Sequence, residues 1–172
     1  MMRPDSRLLT FVLCCVFLAA GCGSPRPAPP TSHIPPKTYI QDLPALTSQQ
    51  RRTVVTHTIN SLGTPYRWGG SSPGQGFDCS GLVVYTHKKA GVYPPRTARA
   101  QFDAGRHVDR NALRPGDLVF FDAPGKKTAF HVGIYVGKQT FVHAPGRGKN
   151  VRQATLSNPY FKRQYIGART FL

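Results

Sequence analysis

Three side chains in this chain have the chemistry of an activated nucleophile: Cys79, His131 and His143. Cys79 lies in the stretch FDCSG, where a glycine-rich loop, WGGSSPGQGFD, gives way to the apolar run LVVY. A thiol at a helix start meets free backbone N–H groups and the positive end of the helix dipole. Both favour the thiolate and lower the thiol pKa from about 8.5. A cysteine nucleophile needs a histidine base, and the base needs a partner that orients it. His131 and His143 are an even number of residues apart, on two β-rich runs joined by Gly137-Lys138-Gln139. In a hairpin centred near Gly137 they fall opposite each other on one face. That pairing suits a base and its orienter. It also suits two metal ligands with Cys79 as a third, or a purely structural pair of rings. Cys79 could equally be a small buried core residue. His33, His57, His87 and His107 read as tether, packing or surface residues.

The elements that must position these groups are visible in the sequence pattern. Thr47 and Gln50 fit a capping box, and Val55, Ile59 and Leu62 form the stripe of a first helix ended by Gly63-Thr64-Pro65. A second helix is expected from about Cys79 to Lys89, stopped by Gly91 and Pro94-Pro95. Thr97 caps a short third helix through Phe102. Beyond Pro115-Gly116 the runs DLVFF, HVGIYVG, TFVHA, NVRQATL and YIGARTFL are short, β-rich and bounded by turn residues. Helices first and strands second predict an α+β fold, with N-terminal helices packed against a five- to six-stranded, mainly antiparallel sheet. Asp117, in PGDLVFF, reads as a turn residue. Asp78 reads as the N-cap of the Cys79 helix.

Composition narrows the partners. The chain of 172 residues carries 23 Lys and Arg against 7 acidic residues, a formal charge of +16, and every acidic residue is Asp. Without Glu, the usual Glu-containing glycosidase pair is missing, although two Asp remain a substitute. The basic excess points to a polyanionic neighbour. Arg3 and Arg7 precede an apolar run of 13 residues, Leu8 to Ala20, too short to span a bilayer and right for a signal-peptide core. The sequence Leu18-Ala19-Ala20-Gly21-Cys22 resembles a lipobox, so residues 1–21 are expected to leave and Cys22 to carry lipid. Export argues against nucleic acid as partner. Cys14 and Cys15 leave with the signal, so Cys79 is the only free thiol of the mature chain. Residues 22–46 form a tether with seven prolines between Gly23 and Pro44; in polyproline II form it reaches roughly 70 Å. Residues 47–172 form the domain.

Six motifs in order, GTPYRWGG (63–70), FDCSGLV (77–83), RPGDLVFF (114–121), HVGIYVG (131–137), FVHA (141–144) and IGART (166–170), resemble those of the NlpC family of bacterial cell-wall cysteine peptidases. The resemblance implies a papain-like fold and an endopeptidase acting on peptidoglycan stem peptides, without metal or cofactor. It implies Cys79 as nucleophile, His131 as general base and His143 as its orienting partner. Tyr66 is similar to a tyrosine that borders the nucleophile and polarises the scissile carbonyl. Asp78 and Ser80 match positions that bind a free peptide amine in some relatives. Trp68 has a stacking role on substrate or a place in the core. The compact lipoprotein form resembles Gram-negative murein endopeptidases. It implies a monomer, anchored by lipid to the outer membrane and facing the periplasm. Two bonds fit the family: the D-Ala–diaminopimelate cross-link and the γ-D-Glu–diaminopimelate bond within a stem.

Overall fold

The computed structural model describes residues 48–122 and 130–172. The signal segment, Cys22, the whole tether and Thr47 lie outside the described residues. Four helices are described: α1 (Gln49–Asn60), α2 (Cys79–Lys88), α3 (Ala98–Ala104) and α4 (Pro159–Gln164). The strands are β1 (Ser71–Ser72), β2 (Gly76–Phe77), β3 (Arg106–Val108), β4 (Leu118–Asp122), β5 (Phe130–Gly137), β6 (Thr140–His143), β7 (Arg152–Thr155) and β8 (Tyr165–Thr170). β1 and β2 form a small hairpin inside the glycine-rich loop, and the other six strands form one antiparallel sheet in the order β3-β8-β4-β5-β6-β7. The expected α+β architecture is present.

Alternation along the central strands builds two cores. Leu118 and Phe120 of β4 and Val132, Ile134 and Val136 of β5 pack with Val54, Val55 and Ile59 of α1 and Leu82 and Val83 of α2. Val119, Phe121 and Tyr135 point to the other face, where Phe141, Leu156 and Ala168 join them and Phe161 of α4 packs against the cluster. β4 and β5 are therefore covered on both sides, which is why they read as nearly unbroken apolar runs.

Several boundaries differ from the sequence reading. The N-cap of α1 is Ser48, whose side chain accepts from the Arg51 N–H. Gln50 does not close a capping box; its Nε2 donates to Ala90 O at 3.4 Å. Asp117 is buried rather than a simple turn residue. It accepts the Arg114 N–H at 2.7 Å and pairs with Arg51 Nη1 at 2.9 Å, joining α1 to the start of β4. Breaking such a buried pair by removing one partner typically costs about 3–5 kcal/mol.

The β5–β6 hairpin turns at Lys138-Gln139, between Gly137 and Thr140, and both turn residues have positive φ, 48° and 58°. This is later than a turn centred on Gly137. Ile134 faces Val142 and Tyr135 faces Phe141. Carried one pair further, this register sets His143 across from Gly133. His131 is then the diagonal neighbour of His143 on the same face, not its direct partner.

Candidate active site

The glycine-rich loop is folded back onto the start of α2 by its own backbone. Arg67 N–H donates to Phe77 O at 3.0 Å, Phe77 N–H to Pro65 O at 3.1 Å and Asp78 N–H to Gly70 O at 3.0 Å. The closeness demands glycine at two places. A Cβ on Gly70 would meet the Gly76 carbonyl, and a Cβ on Gly81 would meet the Gly70 carbonyl. On its outer side the loop takes a second segment, 149–151, through Tyr66 N–H to Lys149 O at 2.9 Å and Val151 N–H to Thr64 O at 2.8 Å.

Asp78 is the N-cap of α2. Its Oδ1 accepts from Gly81 N–H at 2.6 Å and its Oδ2 from Gly69 N–H at 2.9 Å, so one carboxylate ties the loop to the helix. Arg96 closes on it in a bidentate pair, Nη1 to Oδ1 at 3.0 Å and Nη2 to Oδ2 at 2.7 Å. The same Nη1 donates to Ser80 Oγ at 3.1 Å, and the Ser80 hydroxyl lies 3.4 Å from Asp78 Oδ1. Asp78 and Ser80 thus lie in one hydrogen-bonded cluster whose third member is Arg96.

Cys79 is the first residue of α2 and is half-buried. Burial pushes its thiol up, and the Asp78 charge adds to that. The N–H groups of Val132, Ser80 and Cys79 itself act in the opposite sense. The sequence-based expectation of a lowered thiol pKa counted the helix start but not the burial. The Val132 N–H places the sulfur against β5, one residue from His131.

His131 Nε2 and His143 Nδ1 are 2.7 Å apart, with the rings nearly perpendicular at 78°. His131 is lowered to about 4 by burial. His143 is lowered to about 2, by burial first and then by His131, Arg152 and Lys149. Phe141 and Phe161 flank the His143 ring at centroid distances of 5.2 and 5.4 Å. His143 Nε2 is buried without a hydrogen-bond partner among the described residues.

Tyr66 borders this group from the loop. Its hydroxyl pKa is raised by burial, then by Cys79 and Asp78, and opposed by Arg147. Trp68 is 76% exposed and makes no ring contact or hydrogen bond among the described residues, so it is not a core residue. Among the described residues no three His, Cys or Asp side chains group as a metal-ligand set. Sequence reasoning missed Arg96, one of many basic residues and eighteen positions from Asp78. It also missed the two phenylalanines around His143, Phe141 of β6 and Phe161 of α4.

An antiparallel sheet that carries two bonded histidines, backed by a helix that begins at a cysteine, defines a papain-like α+β domain. The chain belongs to the NlpC/P60 family, whose profile matches residues 63–170. It is 44% identical over 122 residues to the murein DD-endopeptidase MepH of Escherichia coli, covering 69% of this chain and 45% of that protein. It is 33% identical over 163 residues to the probable endopeptidase NlpC of Escherichia coli, covering 92% of this chain and 96% of that one. Among solved structures, an NLP/P60 family protein from Staphylococcus aureus, described as similar to a lipoprotein, superposes with a TM-score of 0.66 at 32% identity, covering 76% of this chain and 44% of that one. The chain spans about half the length, or less, of several curated relatives it matches.

Proposed function

We propose that this chain is a cysteine endopeptidase of peptidoglycan that hydrolyses the D-Ala–diaminopimelate cross-link through Cys79, His131 and His143. The observation that carries the reading is the grouping itself: a thiol at the α2 start, against the Val132 N–H, beside the 2.7 Å His131–His143 bond. The choice of bond is supported by the likeness to a murein DD-endopeptidase.

The chemistry follows from the atoms. For His131 Nδ1 to take a proton it must hold a lone pair, so Nε2 carries the hydrogen and donates it to His143 Nδ1. His143 then keeps its own proton on Nε2, among the phenylalanine rings. Burial keeps the resting pair as thiol and neutral imidazole. As the substrate carbonyl arrives, His131 accepts the Cys79 proton, Sγ bonds to the carbonyl carbon, and the carbonyl electrons move to oxygen. The Cys79 N–H and the Tyr66 hydroxyl hold that oxyanion; a single such donor is typically worth about 2.7–4 kcal/mol of barrier. Collapse breaks the C–N bond, and the amine leaves with the proton from His131. Water, deprotonated by His131, then cleaves the thioester and returns the thiol. Exposed Trp68 offers a stacking face at the loop beside Tyr66. Asp78 and Ser80 shape the floor under the peptide. The chain works as a monomer, held by lipid on Cys22 at the periplasmic face of the outer membrane, with its tether reaching toward the wall.

The test is mass spectrometry of purified muropeptide monomers and cross-linked dimers after incubation with the full chain. Dimers become monomers with the unaltered chain, while Cys79→Ala and His131→Ala remain folded by circular dichroism and lose turnover by at least about 10³-fold. Cut monomer stems would transfer the assignment to the γ-D-glutamyl bond. Retained turnover in Cys79→Ala would remove the nucleophile, and no cleavage by the unaltered chain would favour a murein-binding lipoprotein.

A further inference from the structure

Asp78 has a structural duty that conflicts with the chemistry next to it. Its two oxygens hold the Gly69 and Gly81 N–H groups and so fix the glycine-rich loop on the start of α2. A carboxylate does this with two acceptors, where an amide offers only one. Yet a negative charge adjacent to Cys79 opposes the thiolate by simple repulsion.

The groups that face Cys79 can be named from each element around it. Asp78 comes from its own helix start, Tyr66 from the preceding loop and Arg96 from the segment between α2 and α3, while β5 brings the Val132 N–H to the sulfur with His131 next to it in the strand. Behind them, Arg147 acts on Tyr66, and Lys149 and Arg152 act on His143. Among these described groups Asp78 is the only carboxylate. Arg96 is built onto it rather than drifting near it. Pro95, the residue before, gives its carbonyl to Gln101 Nε2 at 2.8 Å, and the same Nε2 donates to Ser80 O at 3.2 Å. Gln101 is fully buried, so the backbone before Arg96 is tied to the helix that carries Cys79. From there the guanidinium reaches both Asp78 oxygens and the Ser80 hydroxyl.

We propose that Arg96 is a positioning residue for the nucleophile: its bidentate pair cancels the charge that Asp78 must carry to hold the loop, and so keeps the Cys79 thiolate accessible. The inference rests on the reading of Cys79 as the nucleophile, but its test needs no substrate.

The rate of iodoacetamide alkylation is measured against pH on the purified full chain, and followed at Cys79 by mass spectrometry of its tryptic peptide. Arg96→Gln leaves Asp78 unneutralised and moves the alkylation midpoint up by about one pH unit. Arg96→Lys keeps the charge and stays nearer the unaltered chain. Adding Asp78→Asn to Arg96→Gln removes the offending charge at the cost of one loop acceptor, and brings the midpoint back in a double variant whose circular dichroism matches that of the unaltered chain. A folded Arg96→Gln protein with an unchanged midpoint overturns the proposal. So does a raised midpoint that Asp78→Asn fails to reverse, because that marks a displaced helix start rather than a charge effect. Should Arg96→Gln not fold, Asp78→Asn alone decides: with Arg96 left uncompensated, the midpoint falls below that of the unaltered chain, and no fall overturns the proposal. Lack of turnover on muropeptides would sink the proposed function while leaving this result intact.

Discussion

Protonation of His131 sets the acid limit of the proposed chemistry. A general base must be neutral before it can accept the thiol proton, and burial lowers His131 to about 4, well under its ordinary 6.5. Above that value the ring stays neutral and kcat/KM holds; below it kcat/KM falls about tenfold per pH unit. The measurement is kcat/KM on a cross-linked muropeptide from pH 7 downward, with circular dichroism at each pH to confirm the fold. An acid limb centred near 6.5 would mean that the ring is solvated as a free histidine is, and would contradict the buried site. The residues of this site were unequally legible. Cys79 declared itself by standing unpaired at a loop-to-helix boundary, and the two histidines by their even spacing. Arg96 declared nothing, because a guanidinium becomes informative only when the fold sets a carboxylate against it.

At the scale of elements, the junction of the glycine-rich loop and α2 is the part most exposed to error. Gly81 sits in the first turn of α2 with the Gly70 carbonyl against its α-carbon, and Asp78 Oδ1 would lie 2.9 Å from any added Cβ. Gly81→Ala must push the loop away from the helix start, so it is expected to destabilise the chain by about 3 kcal/mol and to abolish cleavage. Gly74, exposed in the same loop, is different: a Cβ added there would have nothing within 4 Å, so Gly74→Ala should stay within about 0.5 kcal/mol. Urea unfolding of both variants checks the contrast, and equal effects would mean that the loop does not depend on the close approach. The first three helices and the five main strands were legible because their periods and breakers agreed. The hairpin centre was not: Lys138 and Gln139 take positive φ without the Gly or Asn that usually marks such a turn. Nor was α4 read as a helix, although Asn158 caps it and Pro159 opens it. A helix of six residues is too short for a helical period to emerge, yet its Phe161 packs beside His143.

At the scale of the described molecule, three basic side chains act on the candidate site. Asp78, Asp103 and Asp117 are each tied to an arginine, which leaves the basic excess largely uncompensated. Arg147, Lys149 and Arg152 are exposed, form no ion pair among the described residues, and act on Tyr66 and His143. Lys126 and Lys127, which flank the histidine strands in sequence, lie outside the described residues. Under the proposed function, a stem peptide rich in carboxylates would be attracted by such a rim before any contact, and the charge would act on encounter rather than on chemistry. The two are separable by salt. Raising ionic strength from about 0.05 to about 0.5 M shortens the screening length from more than 10 Å to roughly 4 Å, which should lower kcat/KM several-fold while kcat stays nearly constant. Replacing Arg147, Lys149 and Arg152 together by Gln should reproduce the high-salt kcat/KM at low salt and flatten the remaining dependence. If kcat/KM of the unaltered chain does not respond to salt, the rim is a solvated surface, and the large positive charge belongs to interactions away from the site.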